Sequence, residues 1–175
     1  IHKVKVQNLG FHRSHRTLIL IYPETLVHST LEHCEDADFT FPVTFNSQEY
    51  TIHVRCRPHL QAFMEKVAQM FEVIVFTASQ SVYADQLLNM LDPKKQLIRH
   101  RVFRDSCIFF EGNYLKDLTI LGRDLSKVVI VDNSPQVLLF KAFLFFLTFK
   151  AFAVEESGNM KIIYIVLVLG FWLPS

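Results

Sequence analysis

Three short runs constrain this chain more than anything else in it. Thr17-Leu18-Ile19-Leu20-Ile21, Phe71-Glu72-Val73-Ile74-Val75-Phe76 and Val128-Val129-Ile130-Val131 are almost wholly apolar and rich in β-branched residues. A strand apolar on both faces needs both faces covered, as in a parallel sheet clad by helices. Between the runs the period changes. Leu60, Phe63, Met64, Val67 and Met70 recur at helical spacing behind Pro58, a residue suited to a helix N-terminus. A second helix is expected from about Ser81 to Leu91, stopped by Asp92-Pro93. Apolar strands alternating with amphipathic helices predict an α/β fold: a Rossmann-like parallel sheet flanked by helices.

A small antiparallel insertion interrupts this plan. Phe39 to Phe45 alternates apolar and polar, Asn46-Ser47-Gln48 turns, and Tyr50 to Arg57 alternates again, which is a hairpin pattern. Arg55 and Arg57 share one face of it, by default the solvent face. Further on come a strand-like segment around His100 to Phe110, a turn at Glu111-Gly112-Asn113, and a short helix or turn near Leu118.

Composition narrows the function classes. With 175 residues, 50% of them hydrophobic and 20% charged, the chain suits one domain with a substantial core and excludes disorder. Eighteen basic residues against 17 acidic ones leave a net charge of +1, no basis for a direct nucleic-acid or anionic-membrane partner. Cys34, Cys56 and Cys107 are far apart with no C-x-x-C, so free thiols in a reducing compartment are expected. Residues 1–16 form a basic arm without the apolar core of a secretory signal.

The expected domain spans 17–136, and composition changes after it. Only Lys141, Lys150, Glu155, Glu156 and Lys161 are charged beyond residue 136, while Phe clusters there. The tail 137–175 admits three readings. One is a replacement helix over 137–154 and a replacement strand over 162–169. Membrane insertion competes, yet Lys141 and Lys150 each cost roughly 2.5–3.5 kcal/mol near a bilayer centre. The second apolar run is also shorter than the roughly 20 residues a span requires. The third is an ending never selected as part of this domain, with exposed apolar surface and poor solubility as its consequence.

Open parallel sheets bind ligands beyond the carboxyl ends of their strands. That rule selects Tyr22–Thr25, Thr77–Ser79, the Lys116 region and Asp132-Asn133. Thr77 offers a hydroxyl at a strand end for a phosphoryl oxygen, or else a cap for the following helix. Lys116 offers a compact cation, or a solvated surface lysine. Asp132-Asn133 offers hard oxygen ligands of the kind magnesium takes, or an Asx turn before Pro135.

Together these positions carry a resemblance. Val75-Phe76-Thr77-Ala78-Ser79, Val82-Tyr83-Ala84-Asp85, Leu91-Asp92-Pro93 and Phe103-Arg104-Asp105 resemble the small C-terminal-domain (CTD) phosphatases of the haloacid dehalogenase superfamily. So do Gly112-Asn113-Tyr114-Leu115-Lys116-Asp117-Leu118, Leu121-Gly122-Arg123-Asp124-Leu125 and Val131-Asp132-Asn133-Ser134-Pro135. The resemblance implies magnesium-dependent dephosphorylation of phosphoserine or phosphothreonine in a protein or peptide partner, through an aspartyl phosphate. It implies that Thr77 and Lys116 hold phosphoryl oxygens and that Asn133, helped by Asp132, holds Mg2+. It implies too that Arg104 and Tyr83 face the substrate peptide.

The chain departs from this pattern where the chemistry is concentrated. The family signature Asp-x-Asp-x-Thr is matched by Ile21-Tyr22-Pro23-Glu24-Thr25, so Ile21 stands at the nucleophile position and Pro23 at the acid/base position. Removing a covalent nucleophile costs on the order of 10⁶ in turnover. Magnesium affinity is expected to weaken with the lost carboxylate. Glu24 is the nearest carboxylate, but strand alternation aims it away from the position of Ile21. The expectation is an inactive or impaired phosphatase domain that binds phosphoprotein. An active phosphatase with another nucleophile and a non-functional product of a decayed gene copy are the alternatives.

Overall fold

The computed structural model describes residues 16–21, 25–124, 127–132 and 163–166. The three apolar runs become parallel neighbours: β1 (Thr17–Ile21), β5 (Glu72–Phe76) and β9 (Val128–Asp132). With β6 (His100–Val102) and β10 (Ile163–Val166) they form a five-stranded sheet of order β10-β9-β1-β5-β6, every pairing parallel. Strand alternation divides its core in two. Leu18, Leu20, Val73, Val75, Val129 and Val131 pack on one side with α1 (Leu60–Met70) and α2 (Ser81–Leu91). Ile19, Ile74, Phe76, Val102, Val128 and Ile130 pack on the other with Leu121, from a 3₁₀ turn over Leu118–Leu121.

The insertion is three-stranded, in the order β2-β4-β3, with β2 (Val27–Thr30), β3 (Phe39–Phe45) and β4 (Gln48–Cys56). Asn46 and Ser47 take positive φ at its two-residue turn, the conformation a tight hairpin requires. β2 is an addition to the expected hairpin; four residues that follow a turn leave too short a run for periodicity to register.

Three further local expectations are corrected. The segment around 100–110 is not one strand: after β6 a 3₁₀ turn at Arg104–Ser106 intervenes before β7 (Ile108–Phe110), which pairs with β8 (Asn113–Leu115). α1 begins at Leu60, because His59 adopts a left-handed conformation and carries the chain from Pro58 into the helix. Arg57 does not simply face solvent; its Nε donates to the Thr25 carbonyl at 2.7 Å, fastening the end of β4 to the segment after β1. Arg55 pairs with Asp36 at 3.0 Å on the surface.

Of the tail, β10 pairs in register with β9, Val166 opposite Asp132. The helix expected over 137–154 and the basic arm over 1–15 lie outside the described residues. Among the described residues no helix is long and apolar enough to cross a membrane. The three cysteines are free thiols.

Candidate functional site at the carboxyl ends of the strands

Topology selects β1. The chain steps outward from it through β5 to β6 on one side and occupies β9 and β10 on the other, so the strand order reverses beside β1. In register, Ile21 lies opposite Phe76 and Leu20 opposite Val131. The end of β1 therefore sits between Phe76-Thr77 and Val131-Asp132. Ile21 and Asp132 are placed by backbone and register alone; Pro23 and Asn133 lie outside the described residues.

Thr77 is fully buried. Its N–H donates to the Val102 carbonyl at 2.9 Å, and its Oγ1 accepts from the Ser79 N–H at 2.9 Å. The hydroxyl thus closes a local turn and does not cap α2, whose N-cap is Gln80. An oxygen that accepts in this way still has its own proton to donate.

The loops after β5 and β6 are zipped together. The Arg104 N–H donates to the Ser79 carbonyl at 3.1 Å, and its Nε to the Ala78 carbonyl at 2.6 Å. The Cys107 N–H donates to the Arg104 carbonyl at 2.8 Å, and Cys107 Sγ lies 3.8 Å from the Thr77 carbonyl. Among the described residues, Nη1 and Nη2 of Arg104 have no hydrogen-bond partner. A guanidinium held by Nε presents those two nitrogens as a planar fork suited to a phosphate or carboxylate.

Lys116 follows β8 directly and is only 8% exposed. A buried ammonium must be paired or hydrogen-bonded, so it is a held cation rather than a solvated one. Tyr83, in the first turn of α2, donates its hydroxyl to Ser29 Oγ at 2.7 Å and stacks on Phe41 at 6.0 Å between centroids. These contacts moor the insertion to the helix.

Between insertion and helix lies an open cleft of about 430 Å³. Val43, Phe45, Tyr50 and Ile52 of the hairpin line one side, Val82 and Tyr83 of α2 the other, and Arg104 stands at it as the charged group. Of the expected peptide-facing residues, Tyr83 and Arg104 are thus brought to one surface. The sequence pattern does not announce the cleft, because its walls come from elements far apart in the chain. The signal available was the alternation of Val43 with Phe45 and Tyr50 with Ile52, which extends one apolar face to the very tip of the hairpin.

Among the described residues the donor set for a metal is thin. Among the described residues no group of three or more His, Cys, Asp or Glu could hold an ion. Asp132 is the one described acidic residue that ends a strand at this edge. A hard dication takes several oxygens, so these residues alone do not form a magnesium site, and no chemical step is derived through one.

The opposite, amino end of the sheet carries a second charged cluster. Arg123 places Nε and Nη2 each 2.7 Å from the two carboxylate oxygens of Glu72, which also meets His100 Nε2 at 3.1 Å and Thr17 Oγ1 at 3.4 Å. The Arg123 hydrogen bonds hold the Glu72 carboxyl below its usual range. Burial pushes His100 below its ordinary value despite the attraction of Glu72. The geometry fits a neutral imidazole donating Nε2–H to Glu72. Every ionised group here is satisfied, which marks the cluster as part of the scaffold.

Comparison with known proteins bears on the family and the fold. The profile of the NLI interacting factor-like phosphatase family matches residues 16–152. CTD small phosphatase-like protein 2 of Dictyostelium discoideum is 55% identical over 120 residues, 69% of this chain and 21% of that protein. CTD small phosphatase-like protein 3 of Caenorhabditis elegans is 52% identical over 69% of this chain and 42% of its own length. The human CTD small phosphatase-like protein is 44% identical over 71% of this chain and 45% of its own. The chain thus spans less than half the length of these relatives. The solved structure of Fcp1, an essential RNA polymerase II CTD phosphatase, superposes with a TM-score of 0.61 at 20% identity, covering 70% of this chain and 38% of that one. That likeness is one of fold, of the haloacid dehalogenase type.

Proposed function

The chain belongs to the NLI interacting factor-like phosphatase family, and on that premise we propose that it binds phosphoserine or phosphothreonine peptides without hydrolysing them. The observation that carries this reading is the residue at the end of β1. Ile21 stands at the topological switch, in register with Phe76 and one residue beyond the partner of Val131. A phosphoryl group there would meet a hydrocarbon where the resemblance places an attacking carboxylate, and Pro23 supplies no proton donor.

What stays in place suits binding. Thr77 retains a donor hydroxyl, Lys116 supplies buried positive charge, and the Arg104 fork stands beside an apolar cleft. Losing two carboxylates makes the crevice more positive, which favours an anion in the ground state. The cleft beside it takes apolar peptide side chains, with Tyr83 as part of its wall. Magnesium at Asp132 and Asn133 is a weak ligand in this reading, because Ile21 contributes no charge to it. The partner is an intracellular phosphoprotein, nuclear or cytoplasmic.

Isothermal titration with one phosphoserine peptide and its unmodified twin tests the reading. The phosphorylated form is expected to bind at least tenfold more tightly, with Lys116→Ala and Arg104→Ala each reducing the preference. Equal affinity for the two peptides contradicts it.

A further inference from the structure

The Arg104 fork is useful to an anion only if it is already aimed, and one hydrogen bond through Nε leaves the plane of the guanidinium able to rotate. A second element lies against it. The guanidinium carbon of Arg104 lies 4.6 Å from the centroid of the Tyr114 ring. Tyr114 is on β8, pinned opposite Phe109 of β7 by the hairpin register, and their rings meet at 5.1 Å. Glu111 and Gly112 at the hairpin turn both take positive φ, which fixes that register. Tyr114 is 38% exposed and Phe109 63%, so neither ring is placed there to fill the core.

The geometry points to Tyr114 as a positioning residue for phosphate recognition: its ring face holds the Arg104 guanidinium so that Nη1 and Nη2 stand ready at the cleft. The inference rests on the reading of Arg104 as a phosphopeptide contact. An aromatic face attracts a guanidinium through its quadrupole and stacks flat against it, leaving the edge nitrogens for an anion. Nε tied to Ala78 sets one edge, the ring sets the plane, and the fork is pre-ordered before the ligand arrives. The same extended segment carries Lys116 two residues on, so one hairpin delivers one cation and steadies another.

A double-mutant cycle on the full chain tests this, read as affinity for a phosphoserine peptide and its unmodified twin. Tyr114→Leu is expected to weaken the phosphopeptide about 3- to 10-fold and leave the unmodified peptide unchanged. Tyr114→Phe, which keeps the ring, and Tyr114→Trp, which offers a stronger one, are expected to bind within about twofold of the parent or better. In an Arg104→Ala background, Tyr114→Leu is expected to add nothing. The unfolding midpoints of the Tyr114 variants report that each is folded. The inference is overturned if Tyr114→Leu costs as much without Arg104 as with it, or if Tyr114→Phe loses as much as Tyr114→Leu. If Arg104→Ala weakens binding while Tyr114→Leu is silent, positioning alone fails and the reading of Arg104 stands. If Arg104→Ala itself changes nothing, both fall together.

Discussion

Two arginines on loops at opposite ends of one sheet have opposite fates. Arg123, at the amino end, makes two 2.7 Å bonds to Glu72, which is itself reached by His100 and Thr17. Arg104, at the carboxyl end, gives Nε to a carbonyl, carries its guanidinium carbon over the Tyr114 ring, and leaves its fork open among the described residues. A charge whose partners are all present belongs to the scaffold. A charge held in place with its best donors unspent is arranged for something that arrives from outside.

Removing each arginine should make that contrast visible. Arg123→Met leaves Glu72, 10% exposed, without its bidentate partner, and is expected to cost about 3 kcal/mol in urea unfolding. Arg104→Met is expected to cost less than about 1 kcal/mol, since it removes one hydrogen bond at a partly exposed site, while reducing phosphopeptide affinity. Equal losses of stability would erase the distinction.

Asp92 sharpens it with a second scaffold group. It is 2% exposed and accepts from the N–H groups of Gln96, Leu97 and Ile98 at 2.9–3.0 Å, closing the turn between α2 and β6. Asp92→Ala leaves those donors unmet and is expected to cost about 2 kcal/mol in the same measurement, without changing the phosphopeptide preference.

Acidification should strain the amino end first. His100 has a folded pKa below its ordinary 6.5 because it is buried, so its contribution is complete above pH 6.5 and declines as pH falls through that value. Glu72 is held below its ordinary 4.5, chiefly by the Arg123 hydrogen bonds, so its contribution is present above pH 4.5 and is lost as pH falls through the folded value. Urea midpoints should therefore drop in two stages between pH 7.5 and 3.5, with the lower stage reduced in Arg123→Met. A midpoint that rises on acidification contradicts the assignment. A small effect is also expected of Tyr83→Phe, which frees Ser29 from a 2.7 Å bond and costs about 1 kcal/mol.

What the sequence discloses follows the range of the forces involved. TLILI, FEVIVF and VVIV disclose the sheet because burial on both faces is written into consecutive residues. The helix over Ser81–Leu91 is disclosed too, since its stop at Asp92-Pro93 is local. The break at Arg104–Ser106 is hidden: apolar residues continue on both sides, and the turn is held by carbonyls at 78 and 79. The candidate site divides in the same way. Thr77 and Lys116 are suggested by position and resemblance, whereas the cleft and the ring over Arg104 arise only when the insertion and the β7–β8 hairpin fold against the strand ends.

The most direct test of the central claim is magnesium-dependent release of phosphate from a phosphoserine peptide. It would compare the parent chain, Ile21→Asp/Pro23→Asp, and each of these carrying Lys116→Ala. The account predicts no release by the parent and activity in the double aspartate variant that Lys116→Ala abolishes. Turnover by the parent chain that disappears with Lys116→Ala would contradict it, because the site would then work without a carboxylate at the end of β1.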